Sequence, residues 1–234
     1  MEQIYTIPVN ETFDAFRGKT ECGCPVCALY RKLQDNELDI ILGASMMEPD
    51  IRIMTNKEGF CGTHFDMMFS RQNRLGLALI MESHLDKVKS DISDKALTSL
   101  LTGKGNAPMK SLDRLKKSCY ICRRTDHHMK NMISTIVLLW QSDSEFVKKM
   151  KEQPYFCLPH YSDLINYAKN KLSKKEFSDF YSDISELELA YLDTLRNDVS
   201  HFCKKFDYRY EDEPWYNSKD SVERTIKFLS GAER

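Results

Sequence analysis

Apolar residues recur at helical spacing along most of the chain. After Cys27, Leu29, Leu33, Ile40 and Ile41 are separated by Arg31, Gln34, Asp35 and Asp39, which predicts an amphipathic helix of about 15 residues. The Met47-Glu48-Pro49-Asp50 turn opens a short helix that Gly59 breaks. From Leu75 to Ile92, Leu77, Ile80, Met81, His84, Leu85 and Val88 share one predicted face. Two glycines and a proline in Thr102–Pro108 read as a linker. Beyond it, Asp126–Gln141 forms a helix carrying Met129, Met132, Ile133, Ile136, Val137 and Trp140, and Asp143–Lys151 a shorter one. Gln153-Pro154 is a break, and Ser162–Lys171 resumes the pattern. Lys174–Phe206 is a long helix marked by Phe180, Ile184, Leu187, Leu195 and Val199. The tail holds Tyr208, Tyr210, Trp215 and Tyr216 and ends in a helix through Val222, Ile226 and Leu229. No alternating strand pattern occurs, so the expected fold class is all-α.

Composition narrows the function classes. The chain has 234 residues, 41% of them hydrophobic, which suffices for a core without covalent staples. Lys plus Arg number 34 and Asp plus Glu 35, a net charge of -1, so a global electrostatic hold on nucleic acid or an anionic membrane is disfavoured. No apolar run reaches the roughly 18 residues a membrane span needs. Met1–Thr20 has no apolar run of signal-peptide length, so a cytoplasmic protein is expected. Thiols stay reduced there, and eight cysteines then point to metal rather than to disulfides.

The cysteines are ordered. Cys24-Pro25-Val26-Cys27 precedes Cys61-Gly62-Thr63-His64 with 33 residues between, and Cys119-Tyr120-Ile121-Cys122 precedes Cys157-Leu158-Pro159-His160 with 34 between. The offsets are 95 from Cys24 to Cys119 and 96 from Cys61 to Cys157, and Phe60 and Phe156 stand before the two CxxH units. This pattern predicts an internally duplicated helical domain. Two residues between ligands let one turn aim both at a single ion, and a second pair completes a tetrahedron. Three thiolates and an imidazole suit Zn²⁺, and four protein ligands leave no open position, as in structural sites. The expectation is two Zn²⁺ per chain, one per half. Residues 1–103 would hold Cys24, Cys27, Cys61 and His64, and residues 104–234 would hold Cys119, Cys122, Cys157 and His160. Both halves would lie in one compact unit, with the knuckles crosslinking helix ends. An iron–sulfur cluster with Cys3His ligation is the chemical alternative.

Other candidates are weaker. Cys22 could replace Cys24 as a ligand, but the second half has only Lys117 and Ser118 at the matching place. Cys203 reads as a buried small hydrophobe in a helix rather than as a nucleophile. His84 and His201 are core-edge histidines with satisfied hydrogen bonds or, on the sharper view, a functional pair. His127-His128 reads as an exposed first-turn pair. From Lys104 to Lys130 eight cations face Asp113 and Asp126, a local charge of +6, whereas from Glu176 to Glu213 eleven acids face four bases, a local charge of -7. Solvated faces are the simpler account, and a nucleic-acid patch over 104–130 the sharper one. The aromatic residues lie in the acidic tail, away from those cations, which argues against base stacking.

The CPVC knuckle, the GFCGTH unit, the GLALIMESHLDKV helix and the tail FDYRYEDEPWYNSKDSVERTIKFLSG together resemble an uncharacterised bacterial family, domain of unknown function 6062. The resemblance runs from Cys24 to Gly231, and its most specific part is the DYR…EPW…DS tail. It implies a helical protein with paired cysteine and cysteine–histidine motifs and no assigned activity. Three functional readings follow from the residues. The first is a non-enzymatic scaffold or interaction protein on two structural zinc sites, with a protein partner or a second copy as its target. The second is a redox enzyme or sensor, either iron–sulfur or based on redox-labile zinc. The third is nucleic-acid binding through 104–130. No phosphate-cradling glycine loop, GxSxG or HExxH motif is present, so no catalytic residue is assigned.

Overall fold

The computed structural model describes residues 3–93 and 107–231. Among these the protein has eleven α-helices, three short 3-10 turns and no strand. The helices are α1 (Gln3–Phe16), α2 (Pro25–Leu42), α3 (Pro49–Glu58), α4 (Gly62–Ser70), α5 (Arg74–Ile92), α6 (Ala107–Lys117), α7 (Tyr120–Ser142), α8 (Ser144–Lys151), α9 (Leu158–Lys171), α10 (Lys174–Lys204) and α11 (Ser221–Ser230). The all-α expectation is met. No helix among the described residues is long and apolar enough to cross a membrane.

Local chemistry explains the helix boundaries. Pro49 opens α3, where a missing N–H costs nothing, and Gly59 closes it at φ 65. The positive φ favours glycine there, and a Cβ would also press on Leu115 Cδ2 at 3.2 Å. Asn73 caps α5, its Oδ1 accepting from Gly76 N at 2.9 Å. Asp143 caps α8, and Ser173 with Glu176 forms a reciprocal capping box at the start of α10. Two helices lie outside the predicted set, which includes the helix-like segments that follow the two CxxH units from Phe65 and from Tyr161 onward. α1 contains Pro8, and no element is predicted for residues 1–20 from their pattern. α6 begins inside the predicted linker: Ala107 and Pro108 are its first residues, while 102–106 and the expected 103/104 boundary lie outside the described residues.

The chain forms two compact units that interleave in sequence. One comprises residues 1–31 and 129–234, the other 32–128, so the divisions fall inside α2 and inside α7. In the first unit, α1 packs on α8, and α10 packs on α8, α9 and α11. Its core is aromatic: Phe13 lies 4.9 Å from Phe146 and 6.1 Å from Phe156, and Trp140 meets Phe180 edge-on at 5.1 Å. The Trp140 indole N–H donates to Asp183 at 3.0 Å. In the second unit, α5 packs on α3, α4 and α6 around Leu38, Ile41, Leu42, Phe60, Met68, Leu77, Ile80 and Ile121.

Two predicted apolar faces turn out differently. On α5, Leu77 and Ile80 are buried, but Met81 and Leu85 face solvent. On α11, Phe228 is buried, and the row Val222, Ile226 and Leu229 is exposed. Helical spacing identifies an apolar stripe, whereas tertiary packing selects which stripe is covered.

The tail motif has structural work in the first unit. The Lys205 ammonium donates to the carbonyls of Tyr210, Glu211 and Glu213 at 2.6–2.7 Å. A His201 ring N–H donates from Nε2 to the Pro214 carbonyl at 2.8 Å, and Trp215 packs 5.8 Å from Phe202. Arg224 holds Asp198 at 2.9 Å and Asp220 at 3.0 Å. His201 is thus the hydrogen-bonded structural histidine of the simpler reading.

Candidate metal centres

The eight predicted ligands assemble into two clusters. Cys24, Cys27, Cys157 and His160 form one, in the unit of residues 1–31 and 129–234. Cys61, His64, Cys119 and Cys122 form the other, in the unit of residues 32–128. Within each cluster the donor atoms all lie within 4.8 Å of one another. The expected grouping by sequence half is therefore wrong: each CxxC meets the CxxH of the other half. The physical reason is the helix behind each CxxC. α2 has 18 residues and α7 has 23. At about 1.5 Å per residue, each carries the chain some 27 Å or more away before the next motif arrives.

All four ligand pairs share one local design. Cys61 and Cys157 are the N-cap residues of α4 and α9, with extended backbone, and His64 and His160 are the third residues of those helices. Cys24 and Cys119 immediately precede α2 and α7, and Cys27 and Cys122 are their third residues. N-cap and third-residue side chains converge at a helix start, as a capping box exploits. Each centre thus joins two helix N-termini. Their partial positive charge favours thiolate, and thiolate offsets their mutual repulsion. Phe60 and Phe156, one residue ahead of each CxxH, are buried and anchor these turns in the two cores.

The spacing fits one tetrahedral ion. With bonds of zinc length, tetrahedral edges are about 3.8 Å between sulfurs and about 3.6 Å from sulfur to nitrogen. In the first centre His160 Nδ1 lies 3.8, 3.4 and 3.1 Å from the sulfurs of Cys24, Cys27 and Cys157, and Cys27 and Cys157 are 3.5 Å apart. In the second, His64 Nδ1 lies 3.1, 3.3 and 3.4 Å from Cys61, Cys119 and Cys122, and Cys61 and Cys122 are 3.9 Å apart. All eight cysteines of the chain are free thiols. An iron–sulfur cluster divides its four ligands among two or more irons, which spreads some of them further than single-ion edges.

Ionising these clustered thiols would require a cation among them. Burial raises the Cys24 thiol well above its ordinary value, and burial likewise raises Cys119 and Cys122. Cys27 runs the other way, because hydrogen bonds from Cys157 and Cys24 favour its thiolate. Three buried thiolates cannot share so small a volume without a positive charge among them. Burial also lowers His64, leaving the neutral imidazole that a metal needs. With Nδ1 turned to the sulfurs, the other ring nitrogen of His64 lies 3.1 Å from the side-chain amide of buried Gln34. In the metal-bound tautomer that nitrogen carries the proton, and the amide presents its oxygen to it after a half-turn that leaves its shape unchanged.

The remaining candidates fall outside these centres. Cys22 and Cys203 are exposed, so Cys203 is not the buried hydrophobe its helical setting predicts. His128 lies 3.5 Å from Glu37, and neither it nor His127 joins a cluster. His84 packs against Gly59 within the second unit. In the basic segment, Arg123 pairs with Glu58 at 2.6 Å and Arg124 with Glu37 at 3.2 Å. Gln34 and Glu188 belong to no sequence motif, yet each stands beside a centre. Glu188 is buried, and its Oε1 accepts the Phe156 N–H at 2.6 Å beside the Cys157 turn. A carboxylate on the core side of a helix was its only sequence signal.

A family model matches this chain over residues 1–234. The chain belongs to the family of unknown function DUF6062. No curated protein and no solved structure matches this DUF6062 member.

Proposed function

We propose that this DUF6062 protein is a helical scaffold or interaction protein whose two units are each built around one structural zinc ion. The observation that carries this reading is the closed shell: each cluster supplies four protein donors at single-ion spacing and leaves no position for substrate. Zinc rather than iron is favoured by the mixed Cys3His donor set and by single-ion edges. Each ion would tie two helix starts together, contributing folding free energy that a core of this size then need not supply alone. Exposed apolar side chains support the interaction role, among them Ile4 and Ile7 on α1 and Val222, Ile226 and Leu229 on α11.

Elemental analysis together with X-ray absorption tests the metal assignment. The expected result is two zinc ions per chain, with zinc–sulfur distances near 2.3 Å, and loss of helical circular dichroism on chelation. A fully folded metal-free chain would overturn it, as would iron with visible charge-transfer absorbance.

A further inference from the structure

Two of the eight cysteines are not ligands, and one of these stands beside a centre. Cys22 ends a 3-10 turn (Thr20–Cys22), is exposed, and is separated from the ligand Cys24 by Gly23 alone. Gly23 has φ 79, a left-handed value that glycine adopts without strain. Two residues of chain span at most ~7 Å, so the Cys22 and Cys24 backbones are no further apart than the limit a disulfide can bridge. Cys22, Gly23, Cys24 and Cys27 also line one cavity of about 370 Å³, walled by Tyr155 and Arg224. A small oxidant can therefore reach the Cys22 sulfur from a space that two metal-ligating cysteines also border. The other centre has no such thiol: Lys117 occupies the position two residues before Cys119, and Gly59 the position two before Cys61.

We propose that Cys22 is an oxidation site through which a hydroperoxide opens the Cys24–Cys27–Cys157–His160 centre, by forming a Cys22–Cys24 disulfide, while the other centre keeps its metal. The inference rests on the zinc reading above. In the first step the Cys22 sulfur attacks the peroxide. An S–O bond forms and the O–O bond breaks, so sulfur is oxidised to a sulfenic acid, and the peroxide is reduced to an alcohol, or to water when it is hydrogen peroxide. In the second step the Cys24 thiolate leaves the metal and attacks the Cys22 sulfur. The S–S bond forms, the S–O bond breaks, and hydroxide departs and takes up a proton as water. Two electrons pass from the two sulfurs to one peroxide. A zinc ion held there would then have only Cys27, Cys157 and His160 as protein ligands and would be released.

The test uses the zinc-loaded full chain and hydrogen peroxide, with a chromogenic chelator to follow released zinc and non-reducing peptide mapping to locate disulfides. The wild type should release one of its two zinc ions at least tenfold faster than Cys22→Ser, and the mapped bond should join Cys22 to Cys24. Cys203→Ser should behave as wild type. Reductant with added zinc should restore the original content. Equal release rates in wild type and Cys22→Ser overturn the proposal, as does a Cys22 recovered free or over-oxidised with both zinc ions retained. Zinc content before oxidant separately tests the structural-zinc reading, so the two failures are distinguishable.

Discussion

Replacing Cys24 by Ser together with His160 by Ala removes two donors from one centre and none from the other. Replacing Cys24 by Ser together with His64 by Ala removes one donor from each. Structural zinc binds with roughly 12 kcal/mol of apparent free energy, so each of four donors accounts for about 3 kcal/mol. That is roughly 100-fold in affinity per donor. The Cys24/His160 pair should therefore weaken one ion about 10⁴-fold and leave the second at wild-type affinity. The Cys24/His64 pair should weaken both ions about 100-fold and leave none at wild-type affinity. Chelator titration followed by native mass spectrometry reads this directly. If Cys24/His64 kept one full-affinity ion and Cys24/His160 kept none, the ligands would pair within sequence halves and the crossed arrangement would be wrong.

Three further outcomes are expected. Gln34→Leu removes the amide beside His64 and should weaken that centre about 10–100-fold in the same titration while leaving the Cys24 centre unchanged; equal effects on both centres would count against the contact. Burial pushes the Glu188 carboxyl from its ordinary 4.5 up to about 8, so between these values the folded state holds a proton that the unfolded state has lost. Stability should then fall as pH rises through this window, by up to about 5 kcal/mol, and Glu188→Gln, which still accepts from Phe156 N–H, should flatten the slope in urea titrations at pH 6.5–8.5 with zinc in excess; an unchanged slope refutes the assignment. Gly59→Ala must take a positive φ and press on Leu115, and should cost about 1–2 kcal/mol, read as a lower thermal midpoint; an unshifted midpoint would refute the preference for glycine.

Much was legible from local order. Helical spacing identified α2, α5, α7, α8 and α10, because an amphipathic stripe or a cap is a property of neighbouring residues. α1 escaped because Pro8 and its polar neighbours obscure the stripe, though Tyr5, Val9 and Phe13 are buried at a spacing of four. The eight donor residues were legible too: a CxxC or CxxH at a helix start aims both side chains at one point whatever the rest of the chain does. Which pair meets which pair is a different kind of fact. It depends on where α2 and α7 deliver the chain and on α1 and residues 1–31 packing with 129–234, contacts between positions more than a hundred residues apart. The same holds for the burial of Phe228 rather than the Val222, Ile226 and Leu229 row on α11, and for the burial of Glu188 behind Phe156. Residue type and spacing thus determined the chemistry of each half-site, and only tertiary packing decided how the half-sites combine, because that choice is made by the cores and not by the ligands.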